Sequence, residues 1–132
     1  MFKKFTKLIS IVLLLNSFLL LIVSTAKAQT YKAIAVVWNY NGKWVARKNT
    51  TLDKAIREAI KVCHKKYGHC VIGKTIDTTE YACIAITKGS NNDEVIYAQK
   101  GFSAQDASNK ALKECKNDRG GICEIRYIGC ND

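Results

Sequence analysis

Ala55-x3-Ala59-x3-Cys63-x6-Cys70-Val71-Ile72 recurs as Ala107-x3-Ala111-x3-Cys115-x7-Cys123-Glu124-Ile125, and this duplication decides the fold. Upstream of each copy, Tyr31-Lys32-Ala33-Ile34-Ala35-Val36 matches Tyr81-Ala82-Cys83-Ile84-Ala85-Ile86. The chain therefore contains one unit twice, at about residues 31–76 and 81–128. Ala33 to Trp38 and Cys83 to Thr87 are short apolar runs rich in β-formers and read as buried strands. Asn41-Gly42 signals a two-residue hairpin turn, returning the chain through Lys43 to Lys48. In the second unit Gly89-Ser90-Asn91-Asn92-Asp93 makes a longer turn into Glu94 to Lys100. Thr51 and Ser103 stand as N-caps, the latter with Asp106 three residues on. Leu52, Ala55, Ile56, Ala59, Ile60 and Cys63 then fall on one helical face, as do Ala104, Ala107, Ala111, Leu112 and Cys115. A last strand follows each second cysteine. The expectation is an α+β fold: two β-β-α-β repeats forming one antiparallel sheet, with two helices packed on it and disulfides holding it.

Six cysteines, an even number in a small chain, read as a disulfide framework with 15 formal pairings. The repeat narrows them. Cys63 with Cys70 and Cys115 with Cys123 each tie a helix end to the next strand, which leaves Cys83 with Cys130. The N-terminus supplies the compartment. Met1 to Lys7 is basic, Leu8 to Val23 almost wholly apolar, and Ala26-Lys27-Ala28 a small-x-small site. Those are the three parts of a secretory signal peptide over residues 1–28, with export to the periplasm or beyond. What remains, residues 29–132, has the length of a single domain. It carries 17 Lys and Arg against 11 Asp and Glu, a basic balance that favours acidic partners.

Catalytic patterns are missing. Cys63-His64 and His69-Cys70 have the composition of a zinc site, but C-H-x4-H-C is not the usual ligand spacing. The second unit keeps both cysteines and replaces the histidines by Lys116 and Ile122, so disulfides account for both copies and a metal for one. The same oxidation removes a cysteine nucleophile. Glu58, Asp77, Glu80 and Glu114 show no pattern that pairs them as glycosidase carboxylates. No Walker, Rossmann or zincin motif occurs. The reading is a protein without enzymatic activity, cofactor or metal.

Two surfaces stand out. Lys54, Arg57, Lys61 and Lys65 recur at i, i+3, i+7 and i+11, a basic stripe suited to an acidic protein, peptidoglycan or lipid headgroups. Nucleic acid is not expected of an exported chain without a basic groove interleaved with aromatics. With Asn41-Gly42 as a two-residue turn, Val36, Trp38, Tyr40, Lys43, Val45 and Arg47 share one side of the hairpin and Trp44 lies on the other. Trp44 aligns with Ile96 in the repeat and is the core candidate. Trp38, Tyr40, Lys43 and Arg47 are the candidate recognition patch, because exposed aromatics with arginine typify binding hot spots.

Paired A-I-A strands, each followed by A-x3-A-x3-C and a nearby second cysteine, resemble the small exported bacterial proteins grouped as domain of unknown function 4189. The likeness runs from Tyr31 to Cys130 and includes Cys83-Ile84-Ala85-Ile86. Where the family has glycine–aromatic pairs, this chain has Gly42-Lys43-Trp44 in the first unit and Ile96-Tyr97 in the second. The resemblance implies a secreted or periplasmic, disulfide-bonded, non-enzymatic domain, and supplies no catalytic residues. The functional expectation is an exported binding module, such as a periplasmic inhibitor or immunity protein against a cell-wall-acting enzyme. The alternative is a secreted effector that meets a host protein or membrane.

Overall fold

The computed structural model describes residues 30–90, 94–119 and 121–132. The expected signal peptide and its cleavage point, and the centre of the Gly89–Asp93 turn, lie outside the described residues. The elements follow the duplicated order: β1 (Ala33–Trp38), β2 (Trp44–Asn49), α1 (Leu52–Tyr67), β3 (Val71–Ile76), then β4 (Cys83–Ser90), β5 (Glu94–Gly101), α2 (Ala104–Arg119) and β6 (Cys123–Cys130). Each helix begins where its cap residue predicts. Thr51 Oγ1 accepts the Lys54 N–H at 3.2 Å, and Ser103 Oγ accepts the Asp106 N–H at 3.1 Å. Asp106 bonds back to the Phe102 N–H at 3.1 Å, one residue beyond the capping-box position. Gly68, at φ 86°, ends α1.

The expected single sheet is instead two, each antiparallel and three-stranded, in the orders β2-β1-β3 and β5-β4-β6. The cause lies in β1 and β4, which are apolar on both faces. Ala33, Ala35 and Val37 pack with Ala55, Ala59 and Cys63 of α1. On the other face Ile34 and Val36 meet Ile84 and Ile86 of β4, with Ile76 and Ala98. Cys83 and Ala85 turn outward to Ala107 and Ala111 of α2. Small residues let each helix approach its own sheet, and large ones fill the space between the sheets. The result is four layers, helix–sheet–sheet–helix. Ile34, Val36, Ile76, Ile84 and Ile86 are fully buried, each stabilising the fold by roughly 1.5–3 kcal/mol through burial.

The disulfides join Cys63 to Cys70, Cys115 to Cys123 and Cys83 to Cys130, the pairing read from the repeat. The first two hold helix end to strand start with Cα atoms 6.1 Å apart; the third links cross-strand neighbours of β4 and β6. The segment between the units is held by Asn131, which is fully buried. Its Oδ1 accepts the Ala82 N–H at 3.0 Å, and its Nδ2 donates to the Glu80 carbonyl at 2.8 Å and the Asp77 carbonyl at 3.3 Å.

The first hairpin departs from its expected register. Trp38 pairs with Trp44 and Val37 with Val45. Gly42 has φ 75°, and no non-glycine residue among those described has a positive φ, so Asn41-Gly42 is not a type I′ pair. The loop is Tyr40-Asn41-Gly42, closed by Asn39 N–H to Lys43 O at 2.9 Å and Gly42 N–H to Asn39 O at 3.3 Å. One extra loop residue slips the register by one and turns every β2 side chain to the opposite face. Both tryptophans therefore pack, half-buried, against the layer between the sheets. The repeat alignment holds here: Lys88 pairs with Ile96 as Trp38 pairs with Trp44.

Candidate binding surface

Asn39 builds the loop that carries Tyr40. Its side-chain oxygen accepts the N–H groups of Asn41 and Lys43, each at 3.0 Å. Its Nδ2 donates to the carbonyl of Tyr67, the last residue of α1, at 3.1 Å. The hairpin tip is thus fastened to a helix end that the Cys63–Cys70 disulfide fixes in turn. On this support Tyr40 stands 92% exposed. Beside it a cleft of about 180 Å³ is lined by Trp38, Asn39, Tyr40, His69 and Val71. Trp38 is held over Gly73, where any Cβ would collide with its ring. Val71, on the strand paired to Trp38, is 41% exposed. The cleft is smaller than the ~300–1,000 Å³ of ordinary small-molecule pockets and suits one inserted side chain.

The four patch residues read from sequence do not stay together. Trp38 and Tyr40 share the cleft. Lys43 lies on the far side of the loop, in a recess of about 350 Å³ with Trp44, Lys88, Ile96 and Arg126 where the two units meet. Arg47 pairs with Ala35 on the α1 side, its Nε 3.6 Å from Glu58 Oε1. Asn39 and Val71 are not among the residues the sequence marks for function, and His69 stands out there only in the zinc-like Cys-His pattern; the Asn at the base of an N-G loop is the available signal for Asn39. The stripe residues Lys54, Arg57, Lys61 and Lys65 are all exposed on α1. Arg57 is ion-paired with Asp53.

The residues considered for chemistry are dispersed. Glu58 meets Arg47 and Asn49, Glu80 meets Lys100, Glu114 meets Gln99, and Asp77 caps the Thr78 N–H. All six cysteines are oxidised. His64 and His69 lie with ring centroids 5.5 Å apart, and His64 Nε2 is 3.1 Å from the Cys70 carbonyl oxygen. Among the described residues no group of three or more His, Cys, Asp or Glu is placed to hold a metal.

Tyr127 packs against the layer between the sheets, its ring 5.5 Å from Trp44 and resting on Gly129. Burial raises its phenol above the ordinary 10.0, because the phenolate would lose hydration. Below pH ~10 both folded and unfolded chains hold the proton, and the contribution to stability is fully present. As pH rises through the raised value the folded state must release it, and that contribution is lost. Urea midpoints measured across about pH 9 to 11 should fall more steeply for the parent than for Tyr127→Phe.

The architecture defines a class: an internally duplicated α+β sandwich of four layers, with one disulfide closing each helix–strand corner and a third inside the second sheet. The chain belongs to the family described as Domain of unknown function (DUF4189), whose model matches residues 31–130. No curated protein and no solved structure gives a significant match. Three disulfides suit an oxidising, non-cytoplasmic setting. No helix among the described residues is long and apolar enough to cross a membrane.

Proposed function

We propose that this chain is an exported, non-catalytic binding module that engages a protein partner through Tyr40 and the cleft beside it. Processing after Ala28 releases a domain beginning at Gln29, destined for the periplasm or the medium. The observation that carries the reading is a fully presented tyrosine on a loop made rigid by five hydrogen bonds of Asn39, three through its side chain and two through its backbone. A side chain exposed to that degree contributes little to folding. Tyrosine is enriched at interface hot spots, and a preorganised loop lowers the entropy lost on binding. The cleft accepts one side chain of the partner in return. Blocking a cell-wall-acting enzyme, as an inhibitor or immunity protein, is the specific role this fits, and the basic charge favours an acidic partner.

Affinity capture from envelope and medium extracts, with oxidised Gln29–Asp132 and its Tyr40→Ala variant as baits, tests the reading. Tyr40→Ala should leave stability within about 0.5 kcal/mol of the parent. It should weaken partner binding by about 30-fold or more, the cost of losing a hot spot. Equal recovery by both baits moves the site away from the cleft. Recovery of nothing at micromolar bait removes the binding-module reading.

A further inference from the structure

The internal duplication supplies a control for the charge on the outer helices. The first unit, residues 31–76, has ten Lys and Arg against two acids; the second, residues 81–128, has seven against six. The difference is largest on the outer face of the helix. Lys54, Arg57, Lys61 and Lys65 of α1 correspond, in the repeat alignment, to Asp106, Asn109, Lys113 and Asn117 of α2. Both helices run 16 residues, start from hydroxyl caps and bury the same Ala-x3-Ala-x3-Cys stripe. The fold therefore does not require the basic stripe, since its counterpart does without it.

The stripe is also available. Its members span about 16 Å along α1, at 1.5 Å per residue, on an outermost layer. Lys54, Lys61 and Lys65 form no ion pair among the described residues. Of the two acids on α1, Asp53 pairs with Arg57, and Glu58 is turned to Arg47 and Asn49 of β2. A straight row of cations on a convex helix suits a planar anionic surface better than a strand that must be wrapped in a groove.

We infer that the outer face of α1 docks the protein on an anionic lipid surface through the headgroup phosphates. This stands apart from the Tyr40 cleft, which is built from the hairpin tip and β3. The interaction is electrostatic, at roughly fivefold in affinity per basic residue near such a surface, and salt screens it.

Co-sedimentation of oxidised Gln29–Asp132 with phosphatidylcholine vesicles, with and without phosphatidylglycerol, tests the inference. The variant K54D/R57N/K65N carries the residues of α2 on α1 and should keep the parent's circular dichroism. The parent should bind only the phosphatidylglycerol vesicles and be released in ~1 M salt, where screening extends about 3 Å. The triple variant should lose about 100-fold or more in affinity, and Tyr40→Ala should bind like the parent. Equal binding to neutral vesicles, parent-like binding by the triple variant, or no binding to anionic vesicles overturns the inference. Retention on soluble polyglutamate without vesicle binding also overturns it and assigns the stripe to an acidic protein.

Discussion

Replacing Cys83 and Cys130 together by alanine should lower the unfolding free energy by about 4 kcal/mol, the largest loss expected from removing any one bridge. This bridge closes the longest loop, with a sequence separation of 47, against 7 and 8 for the other two. Constraining a longer loop removes more entropy from the unfolded chain, so the short bridges are worth about 2.5 kcal/mol each. Position adds to the effect. Cys83 is fully buried against Ala85, Ala107 and Ala111, and Cys130 adjoins the buried Asn131. In a small domain whose total stability is about 5–15 kcal/mol, such a loss leaves a marginal fold. Urea denaturation of the double variant beside C63A/C70A checks both size and order. A smaller loss for the 83–130 bridge than for the 63–70 bridge would contradict the loop argument.

Asn131→Ala should cost about 3 kcal/mol, an unusual amount for one polar residue near a chain end. The side chain makes three hydrogen bonds to main-chain groups of Asp77, Glu80 and Ala82, between β3 and β4. Alanine leaves those groups without their partner, and burying an unpaired polar group costs about 1–3 kcal/mol. Asn131→Asp separates shape from chemistry. It keeps the acceptor facing the Ala82 N–H but sets a second oxygen against two carbonyls, so it should be no better tolerated than alanine. Amide exchange should report the same event locally, with the Ala82 N–H losing protection first. Wild-type stability in Asn131→Asp would mean that the network is not what joins the units.

The elements were legible because their signals are local and appear twice. Ala33 to Trp38 forms the strand its apolar run predicts, and Thr51 and Ser103 cap the helices they precede. The disulfide pairing followed from comparing the copies. Layering was less accessible. The same run of apolar residues that marks β1 as buried also says that both faces are covered, and the alternation of small Ala33 and Ala35 with large Ile34 and Val36 shows which face meets the helix. A helix on one side and a second sheet on the other satisfies that pattern; one sheet carrying two helices does not. The hairpin misled because Asn41-Gly42 serves a three-residue loop as well as a two-residue one, and Asn39 determines which forms. Of the recognition patch, Tyr40 remains exposed, Trp38 became the cleft floor, and Arg47 went to the opposite face once the register slipped. His69 and Val71 reach the cleft only through tertiary packing, and Asn131 carries no sequence motif.

The most direct test of binding through the hairpin tip is photo-crosslinking in the producing cells, with a benzoylphenylalanine at position 40 and, in a separate strain, at exposed position 105 of α2. Position 40 should give one discrete adduct with a protein partner, and position 105 none. Adducts of equal yield from both positions, or none from position 40 in properly oxidised protein, would contradict the account.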